Sequence, residues 1–241
     1  MHSEDHLVKT IEESYSFHPG YKHVFWDWIA LGKFDLPTLQ KFALLYYEHV
    51  KVFRLYLAGA MTIMPSEGLQ IMLAKIIADE FGLPSNKPSQ SNLDSHPELF
   101  RKFMFSIGLT EKDWVISHPS IGINYFKDVH YALFRGGLVD ETLGAITFGC
   151  EKTTPHRHSK VVTGLKKFVQ STGVQVDYTF FSEHEEIDPH HSGGMIRAIS
   201  KLSENNVVSL ERMSMGARIS FDARKIFLDD LGVNLNITIG G

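Results

Sequence analysis

Three glutamates of this chain fall inside apolar helical stripes. An ionised carboxylate buried there costs several kcal/mol unless it is paired or holds a metal. Glu48 has Leu44, Leu45, Val52 and Leu55 at i−4, i−3, i+4 and i+7, the positions that share its helix face. Glu80 has Leu73, Ile76, Ile77 and Leu83 at i−7, i−4, i−3 and i+3. Glu151 follows Thr147 and Phe148, with Gly144 a further turn back. A single glutamate in such a place is ordinarily a salt bridge or a helix end. Three of them on separate helices, none with an evident basic partner on its own face, ask for a shared explanation.

The stripes themselves define the fold class. Asp35 ahead of Leu36-Pro37 is a helix start, and apolar periodicity continues to about Ile63. Pro65-Ser66 opens a second helix, Glu67 to about Phe81, which Gly82 and Pro84 close. Residues 84–95 are rich in Pro, Ser and Asn and read as a loop. Helical patterns resume at 96–107, 119–135, 139–170, about 178–203 and 206–230, with Gly-Gly pairs at 136–137 and 193–194. Period-2 alternation is confined to Val174–Tyr178 and Asn234–Ile239. No repeat or linker divides the chain, so residues 1–241 read as one all-α domain of seven to nine helices.

Composition limits the chemistry. With 24 Lys+Arg against 28 Asp+Glu, the formal charge of −4 opposes a nucleic-acid surface, which would be basic. The one cysteine, Cys150, excludes an internal disulfide and any Cys-based zinc site. Histidine is plentiful, 13 residues, so a metal site here is built from nitrogen and oxygen ligands. The polar, acidic opening Met1–His6 is unlike a signal peptide. Apolar runs such as Leu55–Met64 fall short of the roughly 20 residues of a bilayer span. The expectation is a cytoplasmic protein without a membrane partner.

His184, Asp188 and His191 stand at i, i+4 and i+7, two imidazoles and a carboxylate on one helical stripe. Pro189 removes an amide from that helix, which predicts a kink or a helix start at Asp188. Pro155, four residues after Glu151, likewise cannot bond the Glu151 carbonyl, and predicts a distortion one turn beyond that glutamate.

Taken together, these pieces resemble the haem-oxygenase-like di-iron oxidases, the group of the CADD-like (chlamydial death-domain-associating) proteins and of the TenA/PqqC family. The likeness rests on Glu48, Ala78-Asp79-Glu80-Phe81-Gly82, His96-Pro97-Glu98-Leu99-Phe100, Glu151 and His184-x3-Asp188-x2-His191, in that order across roughly residues 40–200. The interval from Glu80 to His96 is longer than in several relatives, and His118 and His130 are the alternatives to His96. The ferritin-like Glu-x-x-His signature is absent from the chain.

The resemblance implies a haem-oxygenase-like bundle that binds no haem but two iron ions, with manganese as an alternative, held by Glu48, Glu80, His96, Glu151, His184, Asp188 and His191. Four carboxylates would neutralise two ferrous ions. O₂ would be the co-substrate, activated to oxidise a small organic molecule: an amino acid, an amine or a fatty acid, or a tyrosine of the protein itself that becomes aminobenzoate. His158, at i+7 from Glu151, is the expected catalytic proton relay. Arg157, Lys160 and Arg197 could bind a carboxylate, although solvated surface positions are the first expectation for each. Tyr21 and Tyr47 are read as core aromatics. A homodimer is also implied.

Two rivals belong beside this reading. Cys150 falls where a TenA-like aminopyrimidine hydrolase would carry its nucleophile, and a PqqC-like oxidase would need no metal. A non-enzymatic interaction module is the other.

Overall fold

Polar caps, glycines and prolines divide the periodic apolar stretches into helices. The computed structural model describes residues 4–83, 94–115, 119–204 and 208–237. In chain order these form α1 (Glu4–Tyr15), α2 (Val24–Ala30), α3 (Leu36–Val50), α4 (Phe53–Met61), α5 (Glu67–Glu80), α6 (His96–Ser106), α7 (Glu111–Val115), α8 (Ile121–Gly136) and α9 (Val139–Gly144). A π-helical segment (Ala145–Glu151), α10 (Thr154–Thr172), α11 (Thr179–Glu204) and α12 (Leu210–Asn234) complete the order. Among the described residues there is no strand. Val174–Tyr178 is an irregular link from α10 to α11, and the end of the Asn234–Ile239 pattern lies outside the described residues.

The all-α bundle is thus observed, cut more finely than periodicity suggests. The run from Leu36 to Ile63 parts at Lys51–Val52 into α3 and α4, and the 139–170 run parts around the π-helical segment. The caps follow the sequence signals: Asp35 accepts from the Thr38 amide at 2.9 Å, and Ser66 and Ser95 accept from Leu69 and Glu98. Most of the 84–95 loop lies outside the described residues. Pro189 does not begin a helix, because α11 runs unbroken through Pro189 and Gly193–Gly194. Its ring only deprives the Glu185 carbonyl of a helical donor.

α12 is the central strut, packed against α8, α9, the π-helical segment and α1. It approaches closely because glycines face backbone at the crossing. A Cβ on Gly216 would lie 1.9 Å from the Glu141 carbonyl oxygen, and one on Gly144 would lie 1.9 Å from that of Met213. This reciprocal contact holds the chain entering the π-helical segment, and therefore Glu151 at its end, against α12. That segment is part of one of two apolar clusters, the one around Tyr56, Phe134 and Phe148; the other gathers around Phe42, Phe100 and Phe181. Among the described residues no helix is long and apolar enough to cross a membrane.

Gly216→Ala should therefore cost about 1–3 kcal/mol or more, since the added methyl meets backbone that cannot rotate away. Thermal denaturation checks this; an unchanged melting temperature would show the crossing to be looser than described.

Candidate metal centre

α11 carries three buried candidate ligands along one face, two imidazoles and a carboxylate, and three other helix ends close on it. His184 meets Glu80 and His96, with one ligand atom from each lying within 4.8 Å of the others. Asp188 and His191 meet Glu151 under the same limit. All six side chains are buried. One helix thus serves two groups of three, with His184 and Asp188 separated by about 6 Å of axis.

Each of the other three residues sits at a helix boundary. Glu80 is the last residue of α5, whose end is closed by Gly82 at φ 69°. His96 is the first of α6, just after the Ser95 cap. Glu151 ends the π-helical segment, where the Lys152 amide bonds the Thr147 carbonyl five residues back at 2.9 Å. The distortion predicted from Pro155 is therefore present, and it starts on the N-terminal side of Glu151 as well. Such widened turns commonly reposition a side chain at a functional site.

The imidazoles are oriented by hydrogen bonds that leave one nitrogen each for another partner. The His184 Nδ1–H donates to the Phe180 carbonyl at 2.6 Å, which leaves Nε2 as the free lone pair. The His191 Nε2–H donates to Asp79 Oδ2 at 2.8 Å, and its Nδ1 lies 3.3 Å from Glu151 Oε2. His96 Nδ1 comes within 2.9 Å of Glu80 Oε1 yet lacks hydrogen-bond alignment. Two atoms this close and not aimed at each other suit a common third partner.

Charge tells the same story. Burial, reinforced by the Glu151 charge, pushes the Asp188 carboxyl well above its usual range. Burial holds His184 well below the ordinary imidazole value. His191 goes the other way: burial opposes its proton, but Asp79 and Glu151 outweigh it and raise the pKa to about 10. Without a cation, these carboxylates take their compensation from protons on neighbours. Three carboxylates and three imidazoles, hard oxygen with borderline nitrogen, fit iron.

Six of the seven residues expected as ligands are brought together; Glu48 is not. Its Oε1 accepts from Lys51 at 2.5 Å and its Oε2 from Lys127 on α8 at 3.3 Å. The apolar stripe that suggested it is the wrong one. Tyr46, His49, Val50 and Phe53, at i, i+3, i+4 and i+7, form the face lining the central cavity. The carboxylates gathered in the two groups therefore number three, Glu80, Glu151 and Asp188.

That cavity has a volume of about 40 Å³ and adjoins Glu80, His96, Glu151, His184 and Asp188. His158 lines it too, its Nε2 3.4 Å from Tyr46 Oη and its ring centroid 4.8 Å from that of His184. Burial, then the His184 charge, holds His158 well below the ordinary value.

Arg157 departs from its expected surface position: it is buried and lines the cavity. Lys160 pairs with Asp27 at 2.6 Å and Arg197 is exposed, as surface cations are. Tyr47 accepts from Arg101 and stacks on Phe100, and Tyr21 packs on Tyr15 and Phe221, so both are structural aromatics. His130 is buried between the Phe126 carbonyl and Ser220, and His118 lies outside the described residues. Cys150 lines the cavity, but burial pushes its thiol up and its near neighbour is the Ser220 hydroxyl at 4.0 Å, no base for a nucleophile.

Sequence reasoning missed Asp79, Tyr46, His49 and Arg224. Asp79 was hidden by adjacency to Glu80; the Tyr46 stripe was legible but not used.

Residues 40–225 match the family described as "Iron-containing redox enzyme", of haem-oxygenase type. The chain belongs to this family. It is accordingly an iron-dependent oxidoreductase. This redox enzyme is 25% identical over 175 residues to the 4-aminobenzoate synthase of Chlamydia trachomatis, covering 71% of the chain and 69% of the relative. Against the enzyme of the same name from Chlamydia pneumoniae it is 27% identical over 191 residues, 77% of this chain and 76% of that one. In structure it is similar to a CADD-like protein of Nostoc punctiforme (TM-score 0.74, 17% identity, 97% and 96% of the two chains). A TenA homologue of Pseudomonas syringae shares the fold (TM-score 0.72, 12% identity, 94% and 91% covered).

The Asp79 contact should tune the metal without touching it. Asp79→Asn is expected to weaken iron binding about 10–100-fold, whereas Glu48→Gln should leave the bound iron per chain unchanged. Anaerobic titration with ferrous iron separates the two; loss of iron in Glu48→Gln would return that residue to the ligand set.

Proposed function

We propose that this chain is a non-haem di-iron oxidase acting on a small organic substrate of the amino acid, amine or fatty acid class, with O₂ as co-substrate. The observation that carries the reading is the pair of adjacent three-residue groups bridged by α11. Glu80, His96 and His184 would hold one ion; Glu151, Asp188 and His191 would hold the other. Two ferrous ions bound there would supply electrons to O₂ and oxidising power toward the substrate. The chlamydial relatives, named as synthases of 4-aminobenzoate, support a small organic molecule as the material acted on.

The remaining work falls to side chains already in place. Phe180, Val50 and Phe53 supply apolar parts of the cavity lining. Phe180 also orients His184 through its carbonyl. His158 is placed to hold or pass a proton at Tyr46 Oη, with its Nδ1 free of any hydrogen-bond partner among the described residues.

Reduced protein, purified without oxygen, should bind about two iron equivalents per chain. His184→Ala and Glu151→Ala should each abolish at least one of them. Metal analysis that finds no affinity for iron or manganese would end the di-iron reading. A stoichiometry of one would restrict it to a single-iron enzyme.

A further inference from the structure

The cavity beside the ligand groups is also lined by two arginines, Arg157 of α10 and Arg224 of α12. Both are almost wholly buried, 3% and 2% exposed. A buried guanidinium ordinarily has a carboxylate partner, because desolvation otherwise costs more than the fold returns. These two have none in ion-pair contact among the described residues. The nearby carboxylates are engaged elsewhere: Glu48 with Lys51 and Lys127, Glu80 with His96, Glu151 with His191. Arg157 feels the charge of Asp188, but Asp188 belongs to the ligand groups.

The contacts the two arginines do make are neutral. Arg157 donates from its terminal nitrogens to the hydroxyls of Thr153 and Thr154, at 2.5 and 2.7 Å. Arg224 donates to the Gly149 carbonyl at 3.1 Å and lies over the Phe126 ring. The Nε–H of each is buried and has no partner. The two cations also repel one another across the site. Two like charges, buried, unpaired and adjoining one cavity, form an anion site. On the di-iron reading the excess is larger, since three ligand carboxylates leave two ferrous ions with one positive charge uncompensated.

We infer that Arg157 and Arg224 bind the carboxylate of the substrate, and that this enzyme therefore acts on a small organic acid rather than on a neutral molecule or a simple amine. Two unused N–H edges match the two oxygens of one carboxylate, and planar guanidinium favours that geometry. A cavity of about 40 Å³ holds roughly two or three water molecules, the space of such a head group.

The inference rests on the proposed oxidase only for its charge balance, so the test keeps the two apart. Calorimetry with benzoate and octanoate, each against its amide and against inorganic phosphate, is run on metal-free and on anaerobic ferrous protein, with iron content measured independently. Both protein forms should prefer the carboxylate over its amide. Arg157→Gln and Arg224→Gln should each lose about tenfold to hundredfold in carboxylate affinity at unchanged iron content. Equal binding of acid and amide by the metal-free protein overturns the assignment, even if a variant fails to fold. So do tighter binding of phosphate, no binding of either acid, or full affinity in folded arginine variants, which would send the carboxylate to the metal. Arginine-dependent carboxylate binding in a protein that takes up no iron would sustain this site and refute the oxidase.

Discussion

The interior of this bundle holds three carboxylates and three imidazoles in two groups, and most of the fold's irregular features serve to keep them there. A carboxylate in a low-dielectric core is tolerable only with a positive partner or a proton. In the protein alone, His96 and His191 are held in the protonated direction beside Glu80 and Glu151, while Asp188 is pushed toward its neutral form. A pair of divalent ions would replace all of these stopgaps at once. Burial that disfavours the isolated charges thus becomes the preference for metal, because only cations of sufficient charge satisfy every ligand together.

Backbone departures from ideal helix geometry occur where the ligands need them. The π-helical segment ends on Glu151, and the chain restarts as α10 at Thr154 with Pro155 in its first turn. The glycine crossing of Gly144 and Gly216 presses that segment onto α12. α11, by contrast, stays continuous through Pro189, so that His184, Asp188 and His191 keep fixed spacing across both groups. One continuous helix supplies three of the candidate ligands and helix ends supply the other three.

Much of this was legible in the residues, and the failures have physical causes. Helix spacing alone puts His184, Asp188 and His191 on one stripe, and Pro155 announces the distortion after Glu151. Glu48 misled because an apolar stripe signals burial, not what a buried group touches. Its partner Lys51 is three residues on, at the C-cap that ends the same helix, and Lys127 comes from a different helix. Arg157 misled in the opposite sense, since arginine is rarely buried without an acid and nothing local marks it as an exception. Arg224 and Asp79 depend on helix packing that no single segment encodes.

The displacement of Glu48 changes the electrostatics of the site. With Glu48 as a fourth ligand, two ferrous ions would be neutralised and Arg157 and Arg224 would be surplus cations in the core. With Glu48 balanced by two lysines, the two groups would bring three negative charges to two ferrous ions, and the loaded centre would be positive before the arginines are counted. Coulomb repulsion among such charges is strong where water is excluded. An organic acid entering the cavity would relieve it, and would be oriented by the same two guanidiniums that attract it. Substrate binding and charge neutralisation would then be one event, which gives a reason for two arginines to remain in a core that has no carboxylate to spare for them.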